Sequence, residues 1–147
     1  MIASQIALQQ QRITIRSQVQ MVNSEVMHLA TSAGLDILNT ISAKEFDAHT
    51  AGGLVTDPLS LTALPFTTGG TFESANDIDD YHGIQAYTYT TDLGNIDFDV
   101  DIIVRYVEDD DMTQTATTQT FAKEVVVTLQ HDHLFSPIEL SEVFTYP

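Results

Sequence analysis

Between Ile15 and Ile41 the apolar residues Ile15, Val19, Val22, Val26, Leu29, Ala33, Ile37 and Ile41 follow one another in steps of three and four. At about 3.6 residues per turn, such steps place them all on one side of a helix. No proline interrupts the stretch from Met1 to Ala43, and its one glycine is Gly34. The spacing therefore predicts a single helix over residues 1–43. At a rise of about 1.5 Å per residue it is roughly 60 Å long, about twice the diameter of a domain of this size. A helix of that length projects from its domain or packs against other subunits.

The stripe is weaker before Ile15, where Ile2, Ile6 and Ile13 are interrupted by Gln9, Gln10 and Gln11. Few intrahelical ion pairs are available, so the helix depends on packing rather than on its own propensity. The face expected to meet neighbouring subunits is Ile2, Ile6, Ile13, Ile15, Val19, Val22 and Val26. Gly34 marks a close backbone approach within the packed part.

After the helix the chain changes character. Residues 44–82 carry Pro58, Pro65 and the paired glycines Gly52-Gly53 and Gly69-Gly70, and read as an ordered loop. Phe46, Leu54, Leu59, Leu61, Leu64, Phe66 and Phe72 supply anchors to pin it across a sheet. In residues 83–147 the period falls to two. Ala86 to Thr91 alternates, and after the turn Asp92-Leu93-Gly94-Asn95 comes the longest alternation, Ile96, Phe98, Val100, Ile102, Val104 and Tyr106. Two further strands are expected at Phe121 to His131 and Ile138 to Tyr146. Strands joined by turns without intervening helices form an antiparallel sheet. The expected fold is α+β, one domain over 1–147, with a long N-terminal helix packed on an antiparallel sheet of about four strands.

Charge narrows the function. Five Lys and Arg stand against 21 Asp and Glu, a formal net charge of -16, which repels nucleic acid and anionic membrane surfaces. Twelve of the acidic residues lie between Glu73 and Asp111, whereas Arg12, Arg16 and Lys44 lie at or near the helical third, so attraction between a helix and a neighbour's acidic face would favour assembly. The absence of cysteine excludes disulfides and Cys-ligated zinc. The apolar runs are too short to span a bilayer.

Asp77, Asp79 and Asp80, ahead of Tyr81-His82-Gly83, form the most distinctive short string. These carboxylates either cap backbone N–H groups at the start of the sheet or supply oxygen ligands for calcium. His131 and His133, two apart, share a strand face and with His82 offer imidazoles for zinc, or they form a polar turn. Asp97, Asp99 and Asp101 put like charges on one strand face, with Lys123 and Arg105 expected opposite them. The five tyrosines are expected at the sheet rim. Thr113, Thr115, Thr117, Thr118 and Thr120 form an exposed hydroxyl cluster, open to O-linked sugar. There is no Gly-rich phosphate loop, no G-x-S-x-G and no Cys nucleophile, so the chain reads as non-enzymatic.

The helix, the loop and the string Asp79-Asp80-Tyr81-His82-Gly83 leading into a meander resemble type IV pilin-like proteins, both minor pilins and pseudopilins. The likeness is strongest, around Asp77 to Gly83, to proteins of the mannose-sensitive haemagglutinin pilus kind. The resemblance implies a filament core made of helices and an outer globular head made of the sheet. It also implies homo- or hetero-oligomers with other pilins, a cell-surface or extracellular location, and passage through the inner membrane or periplasm before assembly. The family's apolar N-terminal segment, its inter-subunit glutamate and its cysteine pair have no counterpart here, since Met1 is followed by Ile2-Ala3-Ser4-Gln5. The expectation is a chain cut after the membrane segment, with membrane contact only through that segment. The leading expectation is a structural subunit or tip component of a type IV pilus-like or secretion pseudopilus filament. The alternatives are a monomeric cell-surface binding module with an acidic, calcium-binding loop, or a phage or virion structural protein.

Overall fold

The computed structural model describes residues 2–68, 70–93 and 95–147, with the side chains of the helix described from Met21 onward. One helix, α1 (Ile2–Ser42), precedes four strands: β1 (Ile84–Thr90), β2 (Asp97–Tyr106), β3 (Ala122–Gln130) and β4 (Ile138–Thr145). The strands form one antiparallel sheet in the order β1-β2-β3-β4. This is the α+β meander expected from the period-two runs. The expectations at Ile2, Ile6, Ile13, Ile15 and Val19 lie outside the described side chains, and those at Gly69 and Gly94 lie outside the described residues.

One face of the sheet carries the core. In β2 the buried residues are Phe98, Val100, Ile102, Val104 and Tyr106, and in β3 the in-phase residues are Lys123, Val125, Val127 and Leu129. The register sets Tyr106 opposite Lys123 and Val100 opposite Leu129. Residues 21–42 of α1 lie on the β3 and β4 side of this face, burying Val26, Ala30, Ala33, Ile37, Leu38 and Ile41. Gly34 is where the helix backbone meets the side chains of the sheet: a Cβ there would stand 2.5 Å from Leu140 Cδ1 and 3.0 Å from Leu129 Cδ1. The missing side chain sets how deeply the helix seats, as anticipated.

The loop covers the rest of that face. Phe46, Leu61 and Phe66 are buried and Phe72 stacks on Tyr87, but Leu54 and Leu59 are exposed and Leu64 is partly so. About half of the expected anchors therefore hold the loop. The opposite face of the sheet is solvated, and Asp97, Asp99 and Asp101 sit there. Arg105 shares that face but pairs with Glu124 rather than with the aspartates. Lys123 is in phase with Val125 and points into the core, so it does not face the acidic row. Asp97 instead accepts a hydrogen bond from Thr90, and Asp101 accepts one from the Ala86 N–H. That bond sits at a β-bulge, where the β1–β2 register shifts between Ile84 and Tyr87.

Two more expectations are corrected. Tyr81 and Tyr106 are fully buried rather than at the rim, because the loop closes over that end of the sheet. Thr120 is buried too, its hydroxyl donating to the Val107 and Ala122 carbonyls, which takes it out of the exposed threonine cluster.

Candidate functional site

At the end of the sheet remote from Gly34, the core turns polar. Lys123, at the start of β3, is wholly buried, and its ammonium contacts three oxygens: Phe46 O at 2.7 Å, Asp47 Oδ2 at 3.0 Å and Asp79 Oδ1 at 2.6 Å. The ammonium lies over the Phe46 ring at 4.3 Å and near the rings of Tyr106 and Phe66 at 5.1 and 5.8 Å. A buried charge is tolerated only with such pairing, and aromatic faces add cation–π attraction.

Local chain geometry places each member. Lys123 is opposite Tyr106 in the β2–β3 ladder. After α1 ends, Glu45 bridges to Asp77 in parallel, with the Ile78 N–H donating to Glu45 O at 3.0 Å. Two chain segments then run side by side, which sets Asp47 beside Asp79. The 3-10 turn Asp79–Tyr81 follows and buries Asp79 and Tyr81. Gly83 closes the segment at φ +77, with Thr68 so near that a Cβ would stand 2.5 Å from its Cγ2; only glycine fits.

The two carboxyls differ in their surroundings. Asp47 accepts from the Thr62 N–H at 2.9 Å, the Thr62 hydroxyl at 3.1 Å and the His49 N–H at 3.0 Å, and its Oδ1 lies 2.8 Å from His49 Nδ1. Burial alone would raise its pKa, but these bonds and the neighbouring Asp79 carboxyl outweigh it, so Asp47 is held well below the usual carboxylate range. Asp79 has no such support. Its close partner is the Lys123 ammonium, and beyond that ion contact neither of its oxygens has a hydrogen-bond partner. Burial pushes Asp79 up to about 7 against the pull of Lys123. One carboxyl is thus fixed as the anion, and the other is poised to carry a proton near neutral pH. Tyr106 completes the cluster: its hydroxyl donates to Thr62 O at 2.9 Å, and burial, then Asp79 and Asp47, push its pKa upward.

The calcium string comes together locally, but its carboxylates turn inward. Asp77 Oδ1 accepts from the Asp80 N–H at 3.1 Å, and Asp80 Oδ2 accepts from the Asn76 N–H at 2.8 Å. Asp79 faces the Lys123 ammonium. Among the described residues no group of His, Asp and Glu is arranged to hold a metal ion. His131 and His133 are neighbours, their rings 5.2 Å apart, whereas His82 is used elsewhere, its Nδ1 accepting the Val104 N–H at 3.1 Å.

The helix face expected to meet partners divides. Val26 is 3% exposed and docked, whereas Val22 is 42% exposed. Asp47 and Lys123 were not foreseen as partners. The available signal was parity, since Lys123 stands two residues before Val125 in an otherwise apolar alternation. Among the described residues no helix is long and apolar enough to cross a membrane. Neither the protein-family models, nor the curated proteins, nor the solved structures contain a match to the chain.

Proposed function

We propose that the protein is a structural subunit or tip component of an extracellular filament of the type IV pilus or pseudopilus kind, assembling through the N-terminal part of α1. The observation that supports this reading is a change of exposure along the described part of the stripe. Val22 and Val26 belong to one stripe and lie one turn apart, yet the first is 42% exposed and the second 3%. An apolar stripe with an exposed member beside a buried one is the pattern of a helix with a second surface to cover. Helix α1 continues to Ile2, so at about 1.5 Å per residue the part before Val22 adds roughly 30 Å.

Charge at the stripe separates assembly from folding. Val19→Asp and Val22→Asp, examined in the producing cell by electron microscopy and as purified chains by circular dichroism, are expected to abolish filaments while leaving the head folded. Filaments of normal number and length in both variants would remove the helix from this role. On this reading the protein has no catalytic task, resides at the cell surface, and has other pilin-like subunits as its partners.

A further inference from the structure

We propose that Lys123 and Asp79 condense into an intramolecular amide, with Asp47 as the proton carrier, so that the mature head contains a covalent bond between β3 and the 3-10 turn Asp79–Tyr81. The geometry carries the inference. Nζ of Lys123 lies 2.6 Å from Asp79 Oδ1, both side chains are buried, and beyond that contact neither Asp79 oxygen has a hydrogen-bond partner. Asp47 Oδ2 is 3.0 Å from the same nitrogen. The Phe46, Phe66 and Tyr106 rings surround the nitrogen and limit access of water. An amine and a carboxylic acid held in contact in a dry pocket gain the high effective concentration of an intramolecular reaction. The protonation states also suit it, since Asp79 carries its proton up to about neutral pH and Asp47 stays anionic.

The step balances without any co-reactant. Asp47 takes a proton from the ammonium, and the free amine attacks Cγ of the Asp79 carboxylic acid. The Nζ–Cγ bond forms and one Cγ–O bond breaks, with Asp47 returning protons to the departing oxygen. Two protons leave with that oxygen as water, one stays on the amide nitrogen, and the fourth passes through Asp47 to solvent, so that Asp47 ends as the anion it was at the start. Nothing is oxidised or reduced. The amide is neutral, so the buried ammonium and its desolvation are removed, while Asp47 keeps its bonds from His49 and Thr62. It also closes a loop containing β1 and β2, lowering the entropy of the unfolded chain in the way a disulfide does, in a chain without cysteine.

Intact mass of the denatured full chain, purified folded and held at neutral pH, reads the bond directly. The expected mass is one water below the sequence mass, and peptide mapping should yield a branched fragment joining Lys123 to Asp79. Lys123→Arg and Asp79→Ala should both show the full sequence mass. Asp47→Ala should remain at the full mass or lose water far more slowly, at least tenfold, which distinguishes a proton carrier from a bystander. A folded wild-type chain at its full sequence mass after prolonged incubation overturns the proposal. So does a water loss that maps within a single linear peptide. Both wild-type readings stand even where a variant fails to fold.

Discussion

The two ends of the core face teach different things about how this chain is held together. Under α1 the face is wholly apolar: Val26, Ala30, Ala33 and Ile37 meet Leu129 and Leu140 around Gly34. Under the loop it is built on Lys123, Asp47 and Asp79, with Tyr106 and Thr62 completing the hydrogen bonds. The apolar end is stabilised by area and fit, which tolerate gradual change. The polar end is stabilised only while every member is present, because one lost partner leaves charge stranded away from water.

That contrast predicts the largest single effect at the polar end. Lys123→Ala leaves two carboxyls facing each other in a buried site and is expected to cost about 3–5 kcal/mol, enough to unfold a marginal domain. Denaturant unfolding followed by circular dichroism measures it; a cost below about 1 kcal/mol would place the cluster in contact with water. At the apolar end the corresponding change is Ile37→Ala, a fully buried side chain on the docked stripe. It should cost about 3 kcal/mol through lost burial and the cavity left behind. A smaller loss would mean that α1 settles onto the sheet after truncation, and the midpoint and slope of the same denaturant curve distinguish the two.

Periodicity made one of these ends readable and hid the other. The strands were legible because Phe98 to Tyr106 alternate without a break, and the docked part of the helix because Val26, Ala33, Ile37 and Ile41 repeat at helical spacing. Lys123 was expected opposite the aspartates of the solvated face as their charge partner, although its parity with Val125, Val127 and Leu129 placed it inside. Asp79 was singled out with Asp77 and Asp80 as a backbone cap or a calcium ligand, whereas its close partner is a lysine on a strand more than forty residues later. Asp47 carried no local signal at all. Its site exists only because Glu45 bridges to Asp77, a pairing of distant segments that no local pattern encodes. Buried tyrosines were missed for the same reason, since the loop that covers Tyr81 and Tyr106 has no period of its own.

Acid should sharpen the contrast further, with an effect on the order of 2 kcal/mol. Asp47 has a folded-state pKa below its ordinary 3.8, so the stability it contributes is present above that value and lost as pH falls below it. Asp79 works the other way while it carries a free carboxyl: its folded-state value is about 7 against 3.8 unfolded, so its contribution is full below 3.8 and is lost as pH rises through 7. A free cluster therefore gives a thermal midpoint that rises from neutral pH down toward about pH 4 and then falls. An amide-linked cluster retains only the acid limb due to Asp47. Replacing residues at the apolar end should leave either profile unchanged in shape, because the docked stripe from Val26 to Ile41 buries no ionisable group.

The smallest expected effect tests whether the outer hydrogen bonds of the polar end matter beyond the ion contacts. Tyr106→Phe keeps the ring that packs against Phe66 at 5.1 Å and lies near the ammonium, and removes only the hydroxyl, which donates to Thr62 O at 2.9 Å and reaches Asp47 Oδ2 at 3.5 Å. Loss of one such bond to a part-buried carbonyl should cost about 1 kcal/mol. Thr62 also donates its N–H and hydroxyl to Asp47, so a loosened Thr62 should weaken the support that keeps Asp47 anionic. The acid limb of the stability profile would then move toward higher pH in the variant. A loss near 1 kcal/mol with an unmoved acid limb would mean that Tyr106 only holds the loop. A loss accompanied by the shift makes Tyr106, Thr62, Asp47 and Lys123 one cooperative unit, as the apolar end is not.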